Sequence, residues 1–595
     1  AMGEGGPELV KQLLNKTYDI KMPGVVGIYL DGEPVKGVGP QDVALAIIGA
    51  TFGNGYVNNK VMEFVGPGVG KLSADFRIGI DVMTTETTCL SSIWRTDDKI
   101  KEFYDIHGRS DDFRELEPGA VAYYDGLVYV NLSEIKPMIA MPFHPSNVYT
   151  IEDVNANLAD VLHDVEQRAL VSLDGAVDYS LQDKIVNGKL YVDQGIIAGC
   201  AGGGFENICA AADIIRGKYI GSDEFTFSVY PASTPIYMEL VKNGAVADLM
   251  EAGTIVKTAF CGPCFGAGDT PANNAFSIRH STRNFPNREG SNPATGQIAS
   301  VALMDSKSIA ATAFNGGYLT SAENCPVVFE TPSYEFNEHI YENIVYNGFG
   351  KAKPETEIVY GPSIKDWPEM EPLKENLLLQ VSSVIRDEVT TTDELIPSGE
   401  TASYRSNPYK ISEFTLIRKD PKYVGRAKAA QEYEKARLAG DSAKAGEFYQ
   451  VLQAAGITTP VEELMQTTGI GSVLYAKRPG DGSAREYAAS CQKVLGGLAD
   501  ICIEYATKRY RSNCVNWGIL PFTCDEEEIN LEAGEYVYLP GIRKAVEDGA
   551  KEFEATVIGT DGSSRKLKLD LKDVTEAEKE VLLAGSLINF YKNAK

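Results

Sequence analysis

Residues 256–268 read VKTAFCGPCFGAG, and the two cysteines in this stretch decide how the rest of the chain is interpreted. The apolar run Val256–Phe260 predicts a strand that delivers Cys261 at its end, and Cys264 follows three residues later. A thioredoxin-type redox pair needs a helix directly after the motif, and the glycines and proline of Phe265–Pro271 disfavour one. The same spacing suits iron–sulfur ligation, in which neighbouring thiolates bind adjacent corners of a cluster.

A third cysteine, Cys200, is placed at the end of a second predicted strand, Gly195–Cys200, before the glycine turn Ala201–Gly204. Three cysteines on a four-iron cluster leave one iron open, and an open iron is a Lewis acid for a substrate hydroxyl and carboxylate. Spacing alone leaves two alternatives. Either Cys200 is a small buried residue and the Cys261–Cys264 loop holds no metal, or the three thiolates and a water hold zinc.

The composition is that of an ordinary globular protein, with 44% hydrophobic and 23% charged residues among 595. Lys plus Arg number 56 against 83 Asp plus Glu, and this net charge of −27 disfavours nucleic acid and anionic membrane surfaces as partners. No apolar stretch reaches the roughly 18 residues of a membrane span, and the N-terminus lacks a secretory signal pattern. Ten cysteines scattered over a long chain suit a reducing compartment, so we expect a cytoplasmic protein.

Strands and helices alternate along the first part of the chain, which predicts α/β units. A strand at Val25–Leu30 is followed by a helix at Gln41–Thr51, and another helix is expected from Asn207 to Ile215. Residues from about 333 to 372 lose this periodicity and carry several prolines, which indicates a long connection across the surface. Residues 421–454 are rich in Ala, Lys, Glu and Gln and predict one or two exposed helices.

Downstream of the cysteine pair lie Arg283-Asn284-Phe285 and Arg288. With Cys261-Gly262-Pro263-Cys264, this stretch resembles the signature of the aconitase family of iron–sulfur hydro-lyases, and Cys200 falls where that family has its first cluster cysteine. The resemblance runs nearly end to end. The further matching segments are Val65–Val69, Tyr124–Leu127, Asn131–Pro137, Thr391–Asp393 with Arg405, Gly482–Glu486 and Gly518–Pro521.

The resemblance implies an α/β fold with an aconitase-like three-lobed core, its first lobe truncated, and a swivelling C-terminal β/β/α domain. Residues 1–160 would hold the remnant of the first α/β domain and the second, residues 161–345 the third with the cluster cysteines, and 346–372 a linker. Residues 373–595 would form the swivelling domain, with the helical insertion at about 421–454.

The resemblance also implies a site. Cys200, Cys261 and Cys264 would hold a 4Fe–4S cluster. Arg283, Arg288, Arg405 and Arg485 would bind substrate, and bidentate guanidinium–carboxylate pairs suit a di- or tricarboxylate. Asp393 would order an arginine neighbour or serve simply as a turn or cap residue. The Ser483 backbone N–H and Arg485 would stabilise charge on the substrate carboxylate.

Three departures from the family pattern point to a changed mechanism. The family has a second serine as its base, and Ala484 stands there, so the carbon-bound proton needs another acceptor, for which Tyr487, Ser398 and Tyr404 are candidates. Tyr129 stands where the family has a glutamate that pairs with a catalytic histidine. The loop after Cys200 is Ala201–Gly204 instead of a polar Thr-Asn-Ser. We therefore expect a rewired hydro-lyase rather than a plain citrate/isocitrate isomerase.

The start of the chain is a further departure. Ala1 is aligned with the tail of the family's first domain, and none of the five histidines (His107, His144, His163, His280, His339) falls on a family catalytic position. We expect a separate or missing N-terminal segment, without which this chain is inactive. The alternative function is a non-catalytic cluster-bearing sensor or carboxylate-binding protein, which the loss of the serine base favours.

Overall fold

The computed structural model describes residues 6–15, 20, 22–173, 179–221, 224–292, 295–329, 332–397, 399, 401–527, 529–572 and 574–593. The chain divides into two compact units. Unit 1 is Met22–Glu357, and unit 2 is Ile358–Lys595 together with the N-terminal helix α1 (Gly6–Asn15). The boundary between the units falls inside the predicted linker 346–372, which contains neither helix nor strand. The predicted domain limits within unit 1 stay predictions.

Unit 1 begins with a parallel four-stranded sheet in the order β3-β2-β1-β4. Its strands are β1 Val25–Asp31, β2 Val61–Val65, β3 Ser91–Trp94 and β4 Gly126–Asn131. Helix α2 (Pro40–Thr51) and helix α3 (Ala74–Asp81) contribute Ile47 and Ile80 to a core that includes the fully buried Ile28 and Phe64 of the sheet. Burial of these apolar side chains stabilises the sheet against its helices.

A seven-stranded sheet follows, in the order β11-β10-β9-β12-β13-β5-β6. The strands, with the small hairpin β7-β8, are β5 Met138–Ala140, β6 Val148–Thr150, β7 Ile185–Val186, β8 Lys189–Leu190, β9 Gln194–Ile197, β10 Thr226–Val229, β11 Ile255–Val256, β12 Phe276–His280 and β13 Ser300–Met304. Strands β9 to β13 pair in parallel, and β5 and β6 add an antiparallel edge. Strands β12 and β13 are buried at every position, as expected where a parallel sheet is covered on both faces.

The direction in which successive strands are added reverses between β9 and β12. From β9 the chain adds β10 and β11 on one side, and then returns to add β12 and β13 on the other. The carboxyl ends of the two strands beside such a reversal form a crevice, which is the usual ligand site of an open α/β sheet. The loops after β9 and after β12 are therefore where a site is expected.

The helices of unit 1 connect and cover these strands. They are α4 Asp98–Ile106, α5 Ile151–Ala156, α6 Leu158–Ser172, α7 Gly199–Gly202, α8 Phe205–Ile215, α9 Thr234–Lys242, α10 Ala245–Glu251, α11 Ser306–Phe314 and α12 His339–Ile344. Helices α8 and α11 are almost entirely buried, and their apolar side chains join those of β9, β12 and β13 in the largest core of the unit.

Unit 2 is built on a closed seven-stranded barrel in the order β14-β16-β18-β19-β22-β21-β20. The strands of this unit are β14 Asn376–Ile385, β15 Thr390–Thr391, β16 Thr468–Ala476, β17 Pro479–Asp481, β18 Gly497–Cys502, β19 Leu520–Thr523, β20 Tyr536–Leu539, β21 Glu552–Ile558 and β22 Ser564–Asp570. The barrel is mixed: β14, β16, β18 and β19 run parallel, and β20 to β22 pair antiparallel.

Ten helices besides α1 lie in the described part of unit 2. They are α13 Thr392–Leu395, α14 Pro408–Ser412, α15 Tyr423–Leu438, α16 Ser442–Tyr449, α17 Val461–Thr467, α18 Arg485–Val494, α19 Lys508–Asn516, α20 Ile542–Glu547, α21 Glu576–Ala584 and α22 Leu587–Asn593. Helices α15 and α16 lie in the stretch 421–454 that was predicted as a helical insertion. They bury Ala430, Ala445 and Phe448 against barrel residues such as Leu378 and Ile470, so one face is covered.

The α/β class predicted from the sequence is confirmed, since parallel sheets alternate with helices throughout unit 1. The closed barrel of unit 2 has no counterpart among the predictions. None of the helices in the described part of the chain is both long and apolar enough to span a lipid bilayer.

Candidate functional site

Cys200 lies in the loop after β9, but not at the end of a strand as predicted. Strand β9 ends at Ile197, and Cys200 lies in the single-turn helix α7. The turn is possible because Gly199 has a φ of +69°, a left-handed conformation that glycine adopts without strain. A Cβ atom on Gly199 would lie 3.5 Å from the Cys264 sulfur and 4.0 Å from the Cys261 sulfur, so the backbone beside Cys200 closely approaches the other two thiols.

The Cys261–Cys264 loop also differs from the prediction. Strand β11 stops at Val256, so Cys261 follows an irregular segment of four residues instead of a strand. Gly262–Cys264 form one 3-10 turn, in which the Cys264 N–H donates to the Cys261 carbonyl at 3.1 Å. No helix follows this turn in residues 265–275, so the helix that a thioredoxin-type pair requires is missing here.

The thiols differ in exposure and in acidity. Cys200 and Cys261 are exposed, whereas Cys264 is buried. The Cys261 thiol donates a hydrogen bond to Cys264, which lowers the pKa of Cys264 to about 5 and raises that of Cys261. Burial raises the pKa of Cys200, and the positive charge of Arg283 acts in the opposite direction. The loop therefore favours a thiolate at Cys264, and its neighbouring thiols are those of Cys261 and Cys200.

Two of the predicted substrate arginines lie in the loop after β12, beside the cysteines. The Arg288 Nε donates to the Cys264 carbonyl at 2.7 Å. The Arg283 guanidinium forms an ion pair with Glu86 at 2.7 Å, and Glu86 is itself buried. The buried Nε of Arg283 has no hydrogen-bond partner in the described part of the chain. The loops after β9, β11 and β12 thus bring Cys200, Cys261, Cys264, Arg283 and Arg288 to one end of the seven-stranded sheet.

Within the described residues, no group of three or more His, Cys, Asp or Glu side chains is arranged to hold a metal ion. The loops that carry the cysteines nevertheless converge, as the approach of Gly199 to the Cys261 and Cys264 sulfurs shows. The donor set is three thiols with no imidazole or carboxylate among them, which is the set that iron–sulfur clusters use.

The other predicted residues lie in unit 2, at a second pair of parallel strands. Strand β15 pairs with β17, α13 begins directly after β15, and α18 begins at Arg485, shortly after β17. Asp393 and the segment Ser483–Arg485 therefore lie at the same edge. The Ala484 N–H donates to Thr392 Oγ1 at 3.1 Å, which joins the two segments directly.

Side chains at this edge combine buried and exposed groups. Arg485 and Asp393 are buried, whereas Ser483 and Arg405 are exposed. Arg405 lies 5.8 Å from the ring centroid of Tyr487, a cation–π distance. Asp393 has an arginine neighbour in this structure, since Arg418 Nη1 lies 3.5 Å from its Oδ2. Ser398, one of the candidate replacement bases, lies outside the described residues.

Sequence reasoning missed Glu86 and Arg418, the ionic partners of Arg283 and Asp393. Neither residue has a signal of its own, because Glu86 lies in a threonine-rich turn and Arg418 in a basic pair, and both patterns are common on surfaces. Tyr129, which the sequence resemblance predicts to replace a family glutamate, donates its hydroxyl to Asp31 at 2.9 Å. Its partner is thus a carboxylate rather than a histidine.

This chain is an α/β protein with a cysteine loop and an arginine pair at the reversal point of a parallel sheet. A model of the aconitase family (aconitate hydratase) matches residues 1–311. The chain belongs to the aconitase family.

Its relatives are hydratases and dehydratases. The 3-isopropylmalate dehydratase large subunit of Clostridium beijerinckii is 27% identical over 322 residues, which cover 54% of this chain and 67% of that protein. Mitochondrial aconitate hydratase of Arthroderma benhamiae is 26% identical over 557 residues, 88% of this chain and 65% of that one. The 2,3-dimethylmalate dehydratase large subunit of Eubacterium barkeri is 28% identical, covering 48% of this chain and 60% of that one. These matches thus span between 60% and 67% of the relatives' own lengths.

Proposed function

We propose that this protein is an iron–sulfur hydro-lyase that adds or removes water across a carbon–carbon double bond next to a carboxylate. The observation that supports this proposal most directly is the meeting of three cysteines and two arginines at one end of the unit 1 sheet. The substrate class is a di- or tricarboxylic hydroxy acid, since the relatives named above act on aconitate and substituted malates.

In this proposal Cys200, Cys261 and Cys264 hold a 4Fe–4S cluster. The three-thiol donor set fits such a cluster, and the nearby Arg279, Arg283 and Arg288 supply the positive charge that an anionic group needs. When bound, the cluster supplies an open iron that acts as a Lewis acid toward the substrate hydroxyl. Every other role falls to side chains and backbone groups of the chain.

Arg283 and Arg288 in unit 1 would bind substrate carboxylate, and Arg405 and Arg485 in unit 2 are proposed for the same role, each pair within its own unit. The orphaned Nε–H of Arg283 supports this role, because a buried donor without a partner is costly and a carboxylate oxygen would satisfy it. Asp393 would orient an arginine, and Arg418 is the arginine it contacts. The Ser483 N–H and Arg485 would stabilise the charge that develops on the carboxylate when the neighbouring carbon loses its proton.

The second candidate, a cluster-bearing sensor or carboxylate-binding protein, is favoured by one residue. Ala484 lies at the start of α18. In the proposed correspondence the family has its serine base at this position, and a methyl group accepts no proton. Tyr487 lies three residues further along the same helix, so it is on the same side as Ala484. Burial raises the pKa of Tyr487, which makes its phenolate a costly base, so the replacement acceptor stays open.

The acid for the leaving hydroxyl is not evident among the five histidines. His280 is fully buried beside Asp305, and burial lowers its pKa; His339 is exposed and forms an ion pair with Glu342. We therefore propose that a separate or additional N-terminal segment supplies this group, and two of the relatives are themselves named as large subunits. A cytoplasmic location is proposed on the ten free cysteines.

Two measurements test the proposal. The purified full chain is reconstituted anaerobically with iron and sulfide, and iron, sulfide and visible absorbance are measured for the wild type, Cys261→Ser and the control Cys209→Ser. Cys209 is buried and accepts a hydrogen bond from Asn243, away from the site. We expect the absorbance to be lost in Cys261→Ser alone. Equal absorbance in all three proteins contradicts the ligand assignment, and iron without sulfide contradicts the cluster.

The reconstituted protein is then screened against a panel of hydroxy acids and their unsaturated counterparts. Turnover of any member supports the hydro-lyase, and saturable binding without turnover supports the sensor. The Ala484→Ser variant separates the two further. If only the base is missing, the added hydroxyl should raise turnover by about 10²-fold, the lower end of the contribution of general acid–base catalysis. Ser483→Ala, which keeps its backbone N–H, should leave turnover nearly unchanged.

A further inference from the structure

Arg279 is a buried arginine on the central strand of the seven-stranded sheet of unit 1. It lies on β12, all five residues of which are buried, and it is itself only 1% exposed. No carboxylate in the described part of the chain lies within ion-pair distance of its guanidinium. Burying a guanidinium without a direct counter-charge is costly unless its N–H groups form hydrogen bonds. The acceptors of those hydrogen bonds therefore indicate the role of Arg279.

The guanidinium of Arg279 donates to the loop that carries Cys264. Its Nη1 donates to the Pro263 carbonyl at 2.5 Å, and its Nη2 donates to the Asp269 carbonyl at 3.3 Å. These carbonyls come just before and five residues after Cys264. One rigid, planar group therefore holds the loop on both sides of the cysteine.

A small polar network on strands β9 and β12 also holds the Arg279 side chain in place. Arg279 Nε donates to Ser277 Oγ at 3.0 Å, and Ser277 Oγ in turn donates to Gln194 Oε1 at 2.7 Å. Gln194, on the neighbouring strand β9, also donates to the Asp269 carbonyl at 3.2 Å. With Arg288 on the Cys264 carbonyl, two arginines hold the consecutive carbonyls of Pro263 and Cys264.

The anionic groups that act on Arg279 at longer range are Glu289, Cys264 and Asp269. Asp269 is already paired with Lys257 and accepts from Tyr230, and Glu289 is buried and hydrogen-bonded by Ser291. Both carboxyls thus have partners of their own, and neither forms an ion pair with Arg279. The guanidinium of Arg279 places its positive charge against the loop that carries Cys264.

We propose that Arg279 is a positioning residue for the iron–sulfur cluster. It locks the Cys261–Cys264 loop in a ligating shape through two backbone carbonyls, and its charge offsets that of the bound thiolates. The inference rests on the proposed function, since it requires that these cysteines hold a cluster. Partners that orient ligands in this way typically change metal affinity by about 10–100-fold when they are removed.

The test compares four full-length proteins after anaerobic reconstitution: wild type, Arg279→Met, Arg279→Lys and the control Arg437→Met. Arg437 is a buried arginine of unit 2 that donates to a backbone carbonyl, of Met465, and pairs with Glu434. The readouts are iron and sulfide content, visible absorbance, and the rate at which a chelator removes iron. Circular dichroism and thermal melting report folding independently.

We expect Arg279→Met to lose iron at least about 10-fold faster than the wild type, Arg279→Lys to lie between the two, and Arg437→Met to match the wild type. A wild-type protein that takes up no iron and sulfide overturns the proposed function. A wild type that holds the cluster, with both Arg279 variants releasing iron at its rate, overturns this inference alone. Should Arg279→Met fail to fold, Arg279→Lys decides: release at the wild-type rate overturns the inference, and faster release supports it.

Discussion

Single residues decide whether the cysteines can meet. Gly199 has a left-handed φ, and a side chain there would come to 3.5 Å from the Cys264 sulfur, so a larger residue would crowd the space between the thiols. Gly202, three residues later, would place a Cβ 2.3 Å from the His280 carbonyl. Two glycines thus permit the loop after β9 to pack directly on the end of β12, where the arginine loop begins.

A buried carboxyl in unit 2 gives a prediction of pH-dependent stability. Asp500 on β18 is 1% exposed, accepts from the Tyr510 hydroxyl at 3.0 Å, and leaves Oδ1 without a hydrogen bond in the described structure. Burial raises its pKa to about 6. In the unfolded chain the pKa is about 3.9, so the folded state holds the proton more tightly. Stability is therefore fully present below about pH 4 and falls as the pH rises to about 6, by about 3 kcal/mol in all.

We predict that Asp500→Asn removes this fall. Urea unfolding at pH 4.5 and pH 7.5 would be followed by tryptophan fluorescence in a Trp94→Phe background, which leaves Trp367 and Trp517 of unit 2 as reporters. The free energy of unfolding should drop by about 2 kcal/mol more in the parent than in Asp500→Asn between these pH values. Asp548→Asn, at an exposed carboxylate, is the control and should behave as the parent. An equal drop in all three proteins would show that Asp500 does not titrate in this range.

At the scale of elements, the connection from β17 to α18 positions the predicted site residues Asp393 and Arg485 of unit 2. Gly482 has a φ of +117°, and a Cβ there would lie 2.4 Å from Thr392 Oγ1, the group that accepts from the Ala484 N–H. The capping box of Thr391 and Glu394 fixes the start of α13 on the other side. The two helix starts, and with them Asp393 and Arg485, depend on this contact.

We predict that Gly482→Ala lowers the free energy of unfolding of unit 2 by about 1–3 kcal/mol, because alanine is strained at this φ and its methyl displaces Thr392. Gly425→Ala is the matched control. Gly425 lies within helix α15, and nothing is within 4 Å of its added Cβ. Alanine should raise the free energy of unfolding there by about 0.5–1 kcal/mol. The same fluorescence experiment measures both, and a Gly482→Ala protein as stable as the parent would refute the strain argument.

At the scale of the whole molecule, the chain is two units joined through a segment with no regular structure. Residues 346–372 form no helix or strand, and Lys351 and Lys365 within them are exposed. Backbone without ladder hydrogen bonds adapts to a protease far more readily than a strand does.

We predict that limited trypsin digestion of the folded protein cuts first after Lys351 or Lys365 and yields two resistant fragments. Lys566 and Lys568 are just as exposed but lie in β22, paired with β21, and they serve as the internal control. Mass spectrometry of the first products identifies the sites. Early cleavage within β22 would contradict the division into two units at this segment.

The sequence was sufficient to indicate the family of this protein. The cysteine pair, the Arg283–Arg288 segment and the end-to-end motifs indicated the aconitase family, and the family match confirms it. The helices at Pro40–Thr51 and Phe205–Ile215 were also within reach, because their apolar residues follow a helical period. These features are local, because they depend only on residue identity and on short spacings along the sequence.

Only the tertiary structure decided which groups meet. Glu86 pairs with Arg283 across roughly 200 residues of sequence, and Arg279 reaches the Pro263 carbonyl through a fold that reverses between β9 and β12. The strands predicted to end at Cys200 and Cys261 stop earlier, because a left-handed glycine and an irregular segment redirect the chain. Residue types and their periods fix what a segment can form, whereas sheet order and burial fix its neighbours, and no local pattern carries that information.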